Sequence, residues 1–151
     1  MPDPLAQIVL MLHALSTGVM AGVIWTMQVV HYPLFARVPA DAFRDYERAH
    51  MTRITAIVGP SMLVEMLTAA AIVIATPAGV APAAAWLGLG LLAAIWVSTA
   101  TTQGPIHRRL AEGGRDARLI ARLVGTNWLR TILWSVRAVL ALVMLAGAGR
   151  G

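Results

Sequence analysis

Glu65 and Arg137 each lie about ten residues deep in an otherwise apolar stretch. A charge at the depth of a bilayer midplane costs roughly 2.5–3.5 kcal/mol on insertion scales, so it is kept where it has a partner or a task. One acid and one base at matching depth predict a buried ion pair. Gln28, His31, His50, Gln103, His107, Asn127 and Arg130 fall toward one end of the same stretches. These residue types suit three kinds of chemistry. Arg130 and Arg137 could bind an anionic or carbonyl oxygen, and Glu65 or a histidine could move protons, so Glu65, Arg130 and Arg137 are the candidate catalytic set. His31, His107, Gln103, Asn127 and Gln28 are candidate cofactor contacts, with His31 and His107 as haem axial ligands. His31, His50, His107 and Glu65 together would suit a transition metal such as iron, copper or zinc. No HExxH or Glu-x-x-His pair is present, and one carboxylate is too few for a di-iron bundle.

The blander roles are a polar helix end for each histidine and a packing ion pair that fixes helix register for Glu65 and Arg137. His13 falls in the outer half of its span, where a helix–helix hydrogen bond is its expected role. Gly18 and Gly22, with Ala14, read as a close-packing surface.

The elements that would position these groups are membrane helices. The chain has 151 residues, 58% hydrophobic and 13% charged. A soluble domain carries about 25% charged residues, so this chain belongs to the membrane class. Its length allows one integral membrane domain, residues 1–151. It has no cysteine, which excludes disulfides, thiolate metal sites and cysteine nucleophiles. The net charge of +5 does not indicate nucleic acid, because the arginines lie in two links and within spans rather than on one soluble face. The expected partners are the lipid bilayer, a small-molecule ligand and a second copy of the chain.

Four apolar stretches, at about 5–31, 54–76, 85–104 and 126–147, are each near the ~20 residues that cross a bilayer. The fold expected is all-α, a four-transmembrane-helix bundle. A short amphipathic helix is expected between the first two spans, N-capped by Asp41 and presenting Phe43, Tyr46, His50 and Arg53 on one face. Pro33 should bend or end the first helix, and Gly59-Pro60 should kink the second. Asn127, Arg130, Trp134 and Arg137, spaced three, four and three, should form one inward stripe. Glu65 and Arg137 lie roughly 16 and 15 Å along their helices from the same end, which places both near mid-membrane.

Arginine counts give an orientation. The link before the second span carries Arg37, Arg44, Arg48 and Arg53. The link before the fourth carries Arg108, Arg109, Arg115, Arg118 and Arg122, and the link between them carries none. Positive-inside bias then puts both basic links in the cytoplasm and both termini outside it, in a bacterial inner membrane.

Several motifs carry a resemblance. They are Gln28-Val-Val-His-Tyr-Pro-Leu-Phe35, Tyr46…His50-Met-Thr-Arg53-Ile, Gly59-Pro-Ser-Met-Leu-Val-Glu65, Thr101-Thr-Gln-Gly-Pro-Ile-His107 and Asn127-Trp-Leu-Arg-Thr-Ile-Leu-Trp134-Ser-Val-Arg137. Together they resemble small four-span bacterial membrane proteins similar in layout to the anthrone-oxygenase-like family. The resemblance implies a four-helix membrane bundle, with oxidation of a small aromatic or quinol-like substrate as one activity; a metal or haem bound by the histidines could supply the redox chemistry. The competing expectations are an anion, lipid or proton binding or transport subunit, and a structural subunit of a membrane complex.

Overall fold

A computed structural model describes residues 3–149. The described residues are helical apart from short links and contain no strand. Helix α1 (Pro4–Thr26) passes through a widened π-type turn, Met27–His31, into α2 (Tyr32–Leu34) and a 3-10 turn at Phe35–Arg37. Helix α3 is Phe43–Ile74. Helix α4 (Pro82–Ser98) passes through a second π-type turn, Thr99–Gln103, into α5 (Gly104–Gly113), and α6 is Ala117–Ala148. Each of the four long helical runs is apolar enough to cross a membrane. Together they form the expected bundle of an integral membrane protein.

The two π-type turns have a cause in the sequence. Pro33 and Pro105 each follow such a turn by two residues. Proline lacks the N–H that would close an α-turn, and its ring clashes with the carbonyl four residues back. The helix relieves this by widening: Tyr32 N–H reaches Met27 O, and Gly104 N–H reaches Thr99 O. Pro33 therefore does not end the first helix, which stays helical to Arg37. Pro60 likewise lies inside α3, which continues without a break.

The short surface helix expected between the first two spans is not a separate element. Residues from Phe43 onward are the first turns of α3. Asp41 does not cap it: the Asp41 carboxylate accepts from Ala42 N, and the helix begins after Ala42 with no side-chain cap. The reason is length. Runs of 32 residues extend about 48 Å, against a hydrocarbon core of ~30 Å. The surplus projects at the end where the arginine-rich links lie, hereafter the basic end.

Side chains inside the bundle form alternating tiers. At the end near the termini, Leu10, Ile72, Val80, Ala85, Met144 and Ala148 pack together. A polar tier follows, then an apolar layer of Met20, Ile24, Met62, Ala69, Leu92, Ile95 and Trp134. Beyond it, toward the basic end, lies a second polar tier, set against an aromatic and aliphatic cluster centred on Phe35, Phe43, Leu110 and Leu123. The stripe Asn127, Arg130, Trp134 and Arg137 is buried throughout, as its spacing requires.

Gly18 and Gly22 are not a packing surface within the chain, since a Cβ added at either meets nothing within 4 Å. The close approach lies elsewhere. Gly79 has a φ of +80°, and a Cβ there would lie 2.4 Å from Gly147 O; a Cβ on Gly147 would lie 2.5 Å from Gly79 O. The link between α3 and α4 can rest on the end of α6 only because both residues are glycine. Gly147→Ala should therefore lower stability by about 1–3 kcal/mol, while Gly18→Ala should leave it unchanged or raise it slightly. Thermal unfolding of the two detergent-purified variants checks this.

Candidate functional site

Glu65 and Arg137 meet. Glu65 Oε1 accepts from Arg137 Nε at 2.9 Å and from its terminal Nη2 at 2.6 Å. It also accepts from Thr17 Oγ1 at 2.7 Å. The remaining guanidinium nitrogen of Arg137 donates to Gly88 O. One residue from each of α1, α3, α4 and α6 thus joins a single node, with Glu65 0% and Arg137 1% exposed. A Cβ added at Gly88 would meet Leu140 and Arg137 at ordinary van der Waals distance, 3.5 and 3.7 Å. His13 lies beside this node as expected of a helix–helix hydrogen bond, its Nδ1 2.9 Å from Thr68 Oγ1. Neither Glu65 nor Arg137 lines any of the cavities found among the described residues. The node holds the helices together, and this removes both residues from the face that a ligand could reach.

The second polar tier is different. A cavity of about 150 Å³ lies between the helices on its inner side. Its polar wall is Tyr32, His50, Gln103, His107 and Arg130, and Met20, Ile24, Met27 and Val58 supply apolar wall. The two widened turns deliver part of this wall, because Gln103 ends one and Tyr32 follows the other. Single π-type turns inside α-helices recur at functional sites because they re-aim side chains that α-helical spacing would direct elsewhere.

His107 anchors a relay. Its Nδ1 is 2.5 Å from Glu47 Oε1, and its Nε2 is 3.2 Å from the Tyr32 hydroxyl. The carboxylate requires a proton on Nδ1, which leaves Nε2 to accept from the Tyr32 O–H. This is the carboxylate–imidazole–hydroxyl order that activates a hydroxyl in acyl-transfer enzymes. Glu47 is 0% exposed, so a carboxylate at the polar end of α3 is fully drawn inside. The Arg130 guanidinium lies next to the Tyr32 hydroxyl. It donates to Asn127 Oδ1 at 3.2 Å, has no carboxylate within ion-pair distance, and keeps a buried, unpartnered Nε. His50 adds a second unpartnered nitrogen, Nε2, while its Nδ1 is 2.9 Å from His31 Nε2. Phe35 is the floor of the cluster, with its ring 5.2 Å from His31 and 5.4 Å from His50.

The other candidates divide between the tiers. Gln28 and Asn127 are buried against each other, 2.9 Å apart. The Gln28 amide also accepts from Thr131 and donates to Val124 O. Neither residue lines the cavity. They brace α1 against α6 and orient Arg130, so they are positioning groups rather than cofactor contacts. Gln103 accepts from Ser98 through Oε1, which leaves its Nε2 with only a long 3.5 Å contact to Thr126.

The metal set does not assemble. Glu65 faces Arg137 and Thr17 rather than the histidines. Among the described residues no group of three or more His, Cys, Asp or Glu is arranged to hold a metal ion. A haem held by His31 and His107 does not fit either. Both ring nitrogens of His107 already have partners, Glu47 and Tyr32, and His31 Nε2 is taken by His50.

The sequence reading missed Glu47 and Tyr32. Phe43, Glu47 and His50 are spaced four and three and all are buried. The expected face holds at Phe43 and His50, but Glu47 takes the inward place given to Tyr46, which is 37% exposed, and Arg53 is exposed. Comparison with known proteins finds no matching family model, no matching curated protein and no matching solved structure.

Glu65→Gln leaves the Arg137 guanidinium buried without its carboxylate and should lower stability by about 3–5 kcal/mol. Glu65→Met combined with Arg137→Met should recover most of that loss, since apolar pairs often replace a buried ion pair at little cost. Unfolding of both variants in one detergent measures the difference.

Proposed function

We propose that the protein binds a small aromatic or quinol-like molecule by an oxygen atom at Arg130 and accepts the proton of its hydroxyl through Tyr32 and His107, with Glu47 behind them. The observation that carries this reading is the convergence on one apolar-walled cavity of a buried arginine with a free N–H, an unpartnered imidazole nitrogen and a carboxylate-backed tyrosine. A flat ring with one or two oxygens matches that wall. Its body meets methionine and aliphatic side chains, and its oxygens meet donors held in place before it arrives.

The proton steps balance. The ligand hydroxyl gives its proton to the Tyr32 oxygen as the Tyr32 O–H passes its own to His107 Nε2. The His107 imidazolium so formed keeps its Nδ1 proton and is stabilised by the Glu47 carboxylate, while Arg130 stabilises the oxyanion left on the ligand. Loss of that proton makes the ring electron-rich, and the activity it would serve is oxidation of the ring by an acceptor from outside the protein, dioxygen or a second quinone, at the cytoplasmic face of a bacterial inner membrane. It agrees with the layout resemblance to the anthrone-oxygenase-like proteins.

A continuous anion or proton path is less well supported. The layer of Met20, Ile24, Leu92, Ile95 and Trp134 lies between the two polar tiers, and its one polar atom, the buried Trp134 Nε1, is a donor only and cannot pass a proton on. A purely structural role suits the Glu65–Arg137 node but leaves the free nitrogens of Arg130 and His50 unexplained.

Arg130→Gln should weaken binding of a short-tailed benzoquinol by about 10–100-fold, the equivalent of one charged hydrogen bond. Tyr32→Phe should keep binding within a few-fold but abolish ionisation of the bound ligand. Calorimetry reads the first quantity, and the ultraviolet difference spectrum of the bound phenolate reads the second. Absence of saturable binding by any phenol or quinol, or equal binding by Arg130→Gln, would sink the proposal.

A further inference from the structure

A second recess adjoins the cavity. It has a volume of about 300 Å³ and runs along α3 from Tyr46 to Ile57, against Met27 and His31 of the first helix. That is about 16 Å of helix at 1.5 Å per residue. Met27, His50 and Ile54 line both spaces, so the His50 ring and two aliphatic side chains are a partition one side chain thick. The inner cavity has polar groups and little room. The outer recess is roomier, with Met27, Ala49, Ile54 and Ile57 as its apolar wall, His31, Tyr46, His50 and Arg53 as the rest, and Ile57 51% exposed.

We infer that the ligand is a ring with a linear apolar tail, its ring in the inner cavity and its tail lying in the recess between the first helix and α3, past His50. This deepens the proposed function and rests on it. Three observations argue for a tail rather than a second polar ligand. The recess is continuous with the ring site through shared wall residues. Met27, Ala49, Ile54 and Ile57 give it a continuous apolar wall long enough for a chain. It also opens along the flank of α3, where an exposed row including Ile57 and Val64 faces outward toward lipid. The His31–His50 hydrogen bond holds the partition, and His50 is the side chain that must turn for a tail to pass. The single bond holding it, 2.9 Å to His31 Nε2, makes that turn inexpensive. Together the two spaces reach the size of ordinary small-molecule sites, which the inner cavity alone does not.

The test compares a methyl-substituted benzoquinol with its decyl analogue, in protein reconstituted in nanodiscs, at equal mole fraction of compound in the bilayer so that partition cancels. The decyl compound should bind at least 10-fold more tightly. Ala49→Trp fills the recess without touching the ring site. It should remove that advantage while leaving the methyl compound within two-fold. A decyl analogue with a diazirine midway along its tail should label peptides spanning Tyr46 to Ile57. Equal affinity of the two compounds, or labelling elsewhere while binding still depends on Arg130, overturns the tail assignment alone. Binding of neither compound overturns the ring site as well.

Discussion

The Glu65–Arg137 pair is the constraint around which the bundle is arranged. Two unit charges in the hydrocarbon interior are tolerated only when each is close to the other and their remaining hydrogen-bonding capacity is met. Here Thr17 and Gly88 meet part of that capacity, so satisfying the pair recruits all four spans. Apolar contacts alone do this poorly in lipid, because acyl chains are as good a neighbour for leucine as another helix is. The node therefore supplies what packing lacks, a single axial register for each helix relative to the other three. Everything toward the basic end inherits that register, including the height at which Arg130 meets Tyr32.

Polar groups sit in two tiers with different characters, and the difference follows from how completely each is paired. At the node nearly every donor and acceptor has a partner, with Glu65 Oε2 left over. In the tier near the basic end, Glu47 Oε2, His50 Nε2 and Arg130 Nε are all unpartnered. Buried polar atoms without partners cost free energy, and a fold keeps them where something else supplies the missing bond. Two of the three belong to residues that line a cavity, which is why the functional reading belongs here and not at the ion pair.

Much of the fold was legible because its signals are long. Four apolar stretches and the arginine-free middle link define the bundle, and a constant helical rise predicts that Glu65 and Arg137 are level. The site was only half legible. His31, His50, His107, Gln103 and Arg130 were visible as polar residues at one end of the spans. Glu47 was hidden in a segment rich in charge, where the run Arg44-Asp45-Tyr46-Glu47-Arg48 looks solvated throughout. Only the length of α3 beyond the membrane gives that segment an inner face. The expected surface helix and the expected metal ligand Glu65 failed for related reasons. One assumed that polar sequence lies on the membrane surface, and the other that polar residues at the same end share one centre.

The widened turns before Pro33 and Pro105 have a consequence for how this chain can vary. Each holds one more residue than an α-turn, yet the helix beyond it keeps its inward face, as Ile106 and Leu110 show by remaining buried beyond Ile95 and Ser98. The surplus residue is absorbed locally rather than passed on as rotation. A chain shortened by one residue at either place could tighten to an ordinary turn and keep the rest of the bundle in phase. It would lose only the outward swell that brings Gln103 or Tyr32 to the cavity. Length at these two points can thus drift in evolution independently of the scaffold, and a relative lacking one residue there would have the same architecture around a differently shaped pocket.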